Sequence, residues 1–462
     1  MHAPRNKWFE EAKRVIKRCF KKASENLGLG GLFRLRPEIR LSLPEFPVAK
    51  RVSTVQRSLR VNANVIYLMG FFHSFVLIVP IFVPLVQAHG LSMTQILQTQ
   101  ALYALTIACC EVPSGYIADI WGRRRVIIIG SGINGCGFLW LIFADGFGDF
   151  LIYEVLLGIG VSLISGADLA LLYDSQKQLE GTEEAGPGAS KALSRLISIE
   201  AAASGLAGIG AALLLLIGDM QVLIAAQAFC GFIPLILGFL LMESPRPTLT
   251  QSHSANTAAI LEMLLRGKPV VLWTAFAIAT FGLLAMYAFW VYQKYWEMQG
   301  IPIEHFGYIW ALFALTVSVG ARYASYIESK LGWRRLLIIT AILPLIGLMG
   351  MAYAGGWVGV MFGFSIQLSR GMSLTLFYDA LNRRIPGDFR ATVNSLVSLA
   401  VRSLFIVTGP LLGWSLDTQG IRVTLLGLVI VFAPILLAVI MGLGVRIRRE
   451  SGGLSLTSAT SA

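Results

Sequence analysis

About twelve times along this 462-residue chain an apolar run of roughly twenty residues recurs, each long enough to cross about 30 Å of hydrocarbon as a helix. The runs fall near 62–87, 94–118, 126–144, 149–173, 191–217, 220–242, 270–295, 303–327, 335–354, 357–381, 391–415 and 421–444. With 55% hydrophobic and 14% charged residues, the chain is too apolar for an ordinary soluble enzyme. The expected fold class is an all-α polytopic membrane protein of twelve transmembrane helices.

The formal net charge of +12 would suit nucleic-acid binding if it formed one patch, but it is spread over alternate loops. Lys and Arg crowd the N-terminal tail, Arg123–Arg125, Arg246 to Lys268, Lys330 to Arg335, Arg383 to Arg390 and Arg446 to Arg449. The opposite loops, such as 88–93, 145–148 and 218–219, carry none, and only Lys294 and Arg422 lie near that side. The positive-inside rule therefore places both termini in the cytoplasm, in an inner or plasma membrane, with no nucleic-acid partner. Cys109, Cys110, Cys136 and Cys230 fall within spans and Cys19 in the tail, without disulfide or zinc spacing. In the tail, Trp8, Ala12, Val15, Ile16 and Cys19 share one helical face opposite Lys13, Arg14, Lys17, Arg18 and Lys21. This reads either as a basic amphipathic helix on the anionic leaflet or as a basic tail that orients the first span.

Between the second and third spans lies Glu111-Val-Pro-Ser-Gly115-Tyr-Ile-Ala-Asp119-Ile-Trp-Gly122-Arg123-Arg124-Arg125. Three consecutive arginines stay at the aqueous surface, Gly122 permits a sharp reversal, and Asp119 is the nearest counter-charge. The next helix is expected to start near Val126. The pattern Gly115-x-x-x-Asp119-x-x-Gly122-Arg-Arg closely resembles the loop signature of the major facilitator superfamily. It departs from it in Ile120, where that family favours a basic residue. The resemblance implies alternating access, with helices 1, 4, 7 and 10 lining a central cavity and helices 2, 5, 8 and 11 forming the moving interface. Many proton-coupled members of that family carry an arginine four residues before a glycine of span 4; here Glu154 stands there, before Gly158. That difference argues against copying their coupling mechanism.

The second half repeats the first. Gly115-Tyr-Ile-Ala-Asp-Ile-Trp-Gly-Arg-Arg-Arg aligns with Ser325-Tyr-Ile-Glu-Ser-Lys-Leu-Gly332-Trp-Arg334-Arg335, and Gly166-x-x-Leu-x-Leu-x-Tyr-Asp174 with Gly371-x-x-Leu-x-Leu-x-Tyr-Asp379. The two displacements along the chain are nearly equal, which implies two six-helix bundles related by an axis along the membrane normal. The expected organisation is a tail over 1–60, a first bundle over 61–242, a cytoplasmic linker over 243–269, a second bundle over 270–446 and a tail over 447–462. The loop 176–191 reads as polar and flexible, and Gly205, Gly208 and Gly210 suit close helix packing. Trp290, Tyr292, Tyr295 and Trp296 read mostly as an interfacial aromatic belt, with Gln293 or Lys294 able to guard an outer entrance.

Ionisable residues within spans are functional candidates, because an unpaired charge in hydrocarbon costs several kcal/mol. Asp168 and Arg370 sit at similar depth across the expected cavity. They are either a cation or proton site with an arginine that tunes it or binds an anion, or a static ion pair. Glu154 and His73 join them as pathway candidates, although a lone intramembrane histidine such as His73 is more often hydrogen-bonded packing than a proton carrier. Glu111 with Arg402, and Glu200 with Arg322, are expected to pair across the helix 2–11 and 5–8 interfaces. Asp174 is expected to meet Arg123–Arg125, and Asp379 to meet Arg334 or Arg335, as gate latches favouring the outward-open state or as solvated pairs worth under about 1 kcal/mol.

No Gly-x-x-x-x-Gly-Lys loop is present, so ATP drive is not expected, and no metal or nucleophile–base spacing suggests an enzyme or a cofactor. The sequence reads as a monomeric secondary transporter of a small organic solute in a lipid bilayer, coupled to protons or another ion. Efflux of a cationic or amphiphilic compound is favoured. A nutrient importer or uniporter, a non-transporting sensor and a lipid flippase are the alternatives.

Overall fold

The computed structural model describes residues 48–180, 187–243, 269–385 and 390–459. The expected tail helix around Trp8 and the linker residues 244–268 lie outside the described residues. Val55–Ala462 form one compact unit, and of Met1–Thr54 only the helical stretch from Val48 is described.

The first span is not one helix. α1, Val48–Ser74, gives way to a 3-10 turn at Val79–Ile81 and a short α2, Phe82–Ala88. Pro80 starts that turn, and a proline supplies no amide to continue an α-helical ladder. α3, Met93–Trp121, opens on a capping box in which Ser92 and Gln95 exchange hydrogen bonds. It stops at Gly122, whose φ of 108° an L side chain rarely adopts, and α4, Arg123–Leu141, follows at once. The start at Arg123 rather than near Val126 has a physical cause. The Glu243 carboxylate accepts from the amides of Arg123 and Arg124 at 3.0 and 3.1 Å and so caps the first turn.

The fourth span is also broken, into α5, Phe147–Ile164, and α6, Ala167–Glu180, with Gly166 at φ 87° between them. α7, Pro187–Ile217, α8, Met220–Gly238, and α9, Pro269–Met298, complete the first half and begin the second. Most of the expected loop 176–191 is therefore helical, apart from residues 181–186, which are not described. α10, Ile303–Leu331, and α11, Trp333–Tyr353, repeat the α3–α4 turn around Gly332. α12, Gly356–Asn382, is the repeat counterpart of α5–α6 and runs unbroken. α13, Arg390–Ala459, divides at Gly420 into arms 390–419 and 421–459, so helix continues into the expected C-terminal tail.

Among the described residues nine stretches are long and apolar enough to cross a membrane, the last of them the doubled Thr392–Ile447. α4, which opens on three arginines, and α12, with Gln367, Ser369 and Arg370 at its middle, complete the twelve spans.

In the first half α4 packs on α5 and α8, and α3 on α5; in the second, α12 packs on α10 and α11, and α13 on α9 and α11. The halves meet along α3–α13 and α7–α10, the pairs corresponding to helices 2–11 and 5–8. At α7–α10 the Cβ of an alanine at Gly208 would lie 2.6 Å from the Gly307 carbonyl oxygen, so the two backbones touch.

The aromatic cluster of α9 corrects the expected belt. Trp290, Tyr292, Tyr295 and Trp296 are all buried. Tyr292 stacks on Trp296 with centroids 6.0 Å apart, Phe306 and Phe313 meet Trp296 edge-on, and the Tyr295 hydroxyl donates to the Ala354 carbonyl at 2.6 Å. Gly363 leaves room on α12 for Tyr292, and these rings form the outer core of the second half instead of an anchor in the lipid headgroups.

Candidate functional site

The repeat turn fixes which face carries the arginines, called here the basic face. On the opposite face the halves are clasped. The Gln293 side chain accepts from the Val83 amide at 2.8 Å and donates to the Val79 carbonyl at 3.1 Å, the two bonds filling groups left open by the broken first span. Lys294 donates to Gln87 at 3.0 Å. Asp417, in the bend before Gly420, accepts from the amides of Met93 and Thr94 at 3.0 and 2.8 Å and from the Thr94 hydroxyl at 2.6 Å. It therefore caps the N-terminus of α3 from the other half of the molecule. Gly413 lies against Met93 in the same contact.

With that face held shut, the central space runs toward the basic face as two lobes that share Gln100, Tyr103, Phe289 and Trp290 as a common waist. The first-half lobe, of about 580 Å³, reaches the exposed Ser165–Gly166 break and the exposed Ile197 of α7. The second-half lobe, of about 390 Å³, lies between α3, α9, α12 and α13.

The ionisable residues are sorted by lobe. Glu154, Asp168, Glu200 and His73 line the first, which among the described residues has no lysine or arginine in its wall. Arg370 and Arg402 line the second, which among the described residues has no acid in its wall. Glu154 is 3% exposed and accepts from the Gln100 side-chain amide, with no basic partner among the described residues. Asp168 stands in the first turn of α6, at the break, and its carboxylate accepts from the Leu169 amide at 2.6 Å. The Nε2 of His73 is buried without a hydrogen-bond partner among the described residues.

The sequence-derived pairs fare differently. Glu111 and Arg402 do pair, Oε2 to Nη1 at 3.1 Å, across α3–α13. Glu200 and Arg322 do not. α7 meets α10 through the face carrying Gly205 and Gly208, whereas Glu200 lies beside Gly70 of α1, close enough to Asp168 for their charges to interact, and Arg322 is exposed. Asp168 and Arg370 line separate lobes and, among the described residues, form no ion pair in this conformation.

At the basic face Arg123 pairs with Asp174 and also donates to the Ala170 carbonyl at 2.9 Å, tying α4 to α6. Both partners belong to the first half, so in this conformation the pair is a brace within one bundle rather than a latch between two. Arg125 is exposed, Asp119 lies in the last turn of α3 after the exposed Gly115, and Arg124 donates to the Phe239 carbonyl at 3.0 Å. In the second half Asp379 bonds not Arg334 or Arg335 but Arg383, one turn along its own helix, at 2.8 Å.

Sequence reasoning missed Asp417, Gln100 and Glu243. Nothing in the sequence around Ser92 or Asp417 identified the acid that reaches the start of α3 from the other half.

Two helical bundles, joined through two helix pairs and enclosing a charged central cavity, are the architecture of a membrane transporter. A family model described as Major Facilitator Superfamily matches residues 63–410, and the chain belongs to that superfamily. It is accordingly a secondary transporter of small solutes and not an enzyme. Among solved structures it is similar to the nucleoside transporter NupG, with a TM-score of 0.64 at 12% identity over 84% of this chain and 98% of that one. It is also similar to a bacterial homologue of the human lysosomal transporter Spinster, at 0.64 and 14% over 84% and 96%. A D-xylose–proton symporter matches at 0.64 and 16% over 84% and 97%. At these identities the likeness is one of fold. Among curated proteins none matches the chain.

Proposed function

We propose that the chain is a proton-coupled exporter of a small organic solute bearing a cationic group, acting as a monomer in the inner (plasma) membrane with both termini cytoplasmic. The observation that carries this reading is the set of three carboxylates, Glu154, Asp168 and Glu200, around a lobe without a basic residue in its wall. Such acids are stable at that depth only when protonated, hydrated or paired with a bound cation. A carboxylate that holds either a proton or the solute's cation, but not both, exchanges one for the other.

Asp168 is the central group in this reading. It sits where a discontinuous helix exposes backbone to the cavity, an arrangement suited to alternating occupants. Glu154, through Gln100, and His73 extend the proton path toward the waist. With the basic face cytoplasmic, the lobe opens to the side from which an exporter loads. Residues 61–242 and 270–446 act as the two moving bundles.

The test is substrate-triggered proton movement in inside-out vesicles with a panel of cationic, neutral and anionic compounds, wild type beside Asp168→Asn. Proton release evoked by cations and lost in the variant is the expected result. Flux of any compound without proton movement, or cation-evoked release that persists in Asp168→Asn, would overturn the assignment.

A further inference from the structure

The second lobe holds a charge that the proton-exchange reading leaves unused. Of its two arginines, Arg402 is neutralised by Glu111 at 3.1 Å. Arg370 makes no side-chain hydrogen bond or ion pair among the described residues, although it stands at mid-span on α12 and faces the cavity. A guanidinium cannot shed its proton to escape this position, and its planar fork is complementary to a carboxylate or a comparable oxyanion. The repeat gives no reason for it to be there: the equivalent position in the first half is Ser165, beside the helix break. Packing gives none either, because the side chain is exposed to the lobe while its neighbour Gly371 supplies the close contact with α10.

The cavity is therefore polarised, with acids in one half and one uncompensated cation in the other. The waist between them is Gln100 with the rings of Tyr103, Phe289 and Trp290, which suits a flat apolar body better than a charge. We infer that the transported solute is amphoteric, with a protonated amine held by the first-lobe carboxylates, a carboxylate or similar planar anion held by the fork of Arg370, and an apolar body across the aromatic waist. The amine half rests on the function proposed above; the anion half rests on Arg370 alone.

A charge-matched triad separates the two halves. Tryptophan carries amine and carboxylate on an indole, tryptamine keeps only the amine, and indole-3-propionate keeps only the carboxylate. Binding of each is measured by equilibrium dialysis of radiolabelled compound against the full chain in lipid nanodiscs, for wild type, Arg370→Gln, Arg370→Lys and Asp168→Asn, with thermal unfolding of each variant to confirm that it is folded. Tryptophan is expected to bind about tenfold or more tightly than either half-molecule, one additional charge-assisted contact being worth about that factor. Arg370→Gln should bring tryptophan down to the level of tryptamine while leaving tryptamine bound, and Arg370→Lys should fall between, keeping charge but losing the fork. If tryptamine binds wild type as tightly as tryptophan and is lost in Asp168→Asn, the cation site stands and the amphoteric inference fails. If indole-3-propionate and tryptophan depend on Arg370 but nothing depends on Asp168, the anion subsite stands and the proton-exchange assignment fails. Absence of binding by all three overturns the inference.

Discussion

Glu111 and Arg402 meet at 3.1 Å with side chains 34% and 29% exposed, so the pair lies between a buried ion pair and a surface one. Water at the cavity screens it, and its coupling should be nearer about 1 kcal/mol than the several kcal/mol of a dry pair. Because it joins α3 to α13, it also resists any movement that parts those helices at this depth. Glu111→Gln and Arg402→Gln should each lower thermal stability in detergent, and the double variant should lose less than the two singles together. A double-mutant cycle checks this, and additive losses would show that the contact carries no coupling. Arg402 without Glu111 becomes a second free guanidinium in the same lobe as Arg370. Glu111→Gln should therefore also strengthen binding of an indole-bearing carboxylate.

The broken span and its unbroken repeat make a controlled comparison at the scale of the element. Gly166 has φ 87°, and no atom lies within 4 Å of the place a Cβ would take, so Gly166→Ala adds only torsional strain, about 1–2 kcal/mol. Gly371, its counterpart, is helical and packs so closely on the Val317 carbonyl of α10 that Gly371→Ala has to push two helices apart. The expected outcome is that Gly166→Ala accumulates normally but transports slowly, while Gly371→Ala accumulates poorly. Membrane yield, melting temperature and initial rate, taken together, check it. The alignment of the Gly166 and Gly371 stretches was legible in the sequence, as were the twelve spans and the Gly122 and Gly332 turns, because apolar length and a positive-φ turn are local signals. The break was not, since the same glycine reads identically in a bend and in a packed helix. Tyr292 and Trp296 misled for a related reason: aromatic residues at a helix end mark an interface only when they face outward, and rotation about the helix axis is set by neighbours distant in the chain. Glu111–Arg402 could be inferred from depth and family interface together, whereas Glu200 had the depth to meet Arg322 but the wrong face.

Across the whole molecule, the conformational equilibrium is a contest between contacts at the two faces. In this conformation the face opposite the arginines carries a set of polar contacts between the halves, namely Asp417 on the α3 N-terminus, Gln293 on the first-span break and Lys294 on Gln87. At the basic face the Arg123–Asp174 pair stays within one half and favours neither state directly. Removing a contact at that face should therefore populate the opposite state, open at that face, without unfolding either bundle. Asp417→Ala removes three acceptor bonds, two of them to backbone amides that water satisfies once the face opens, so the net loss is about 1–3 kcal/mol, not the sum of three bonds. A shift of that size changes the ratio of the two states by about 5- to 150-fold. Spin labels placed at His89 and Arg422, on the outer side of opposite halves, should report longer distances in Asp417→Ala, and longer still when Gln293→Ala is added. The additional shift follows from the separation of the two contacts: one bridges α3 to α13 and the other bridges α9 to the first span, so each holds the outer face when the other is gone. If the distances do not move in the double variant, the Gly208–Gly307 crossing is what keeps the face closed, and Gly307→Ala, whose Cβ meets the Gly208 carbonyl, should then open it alone.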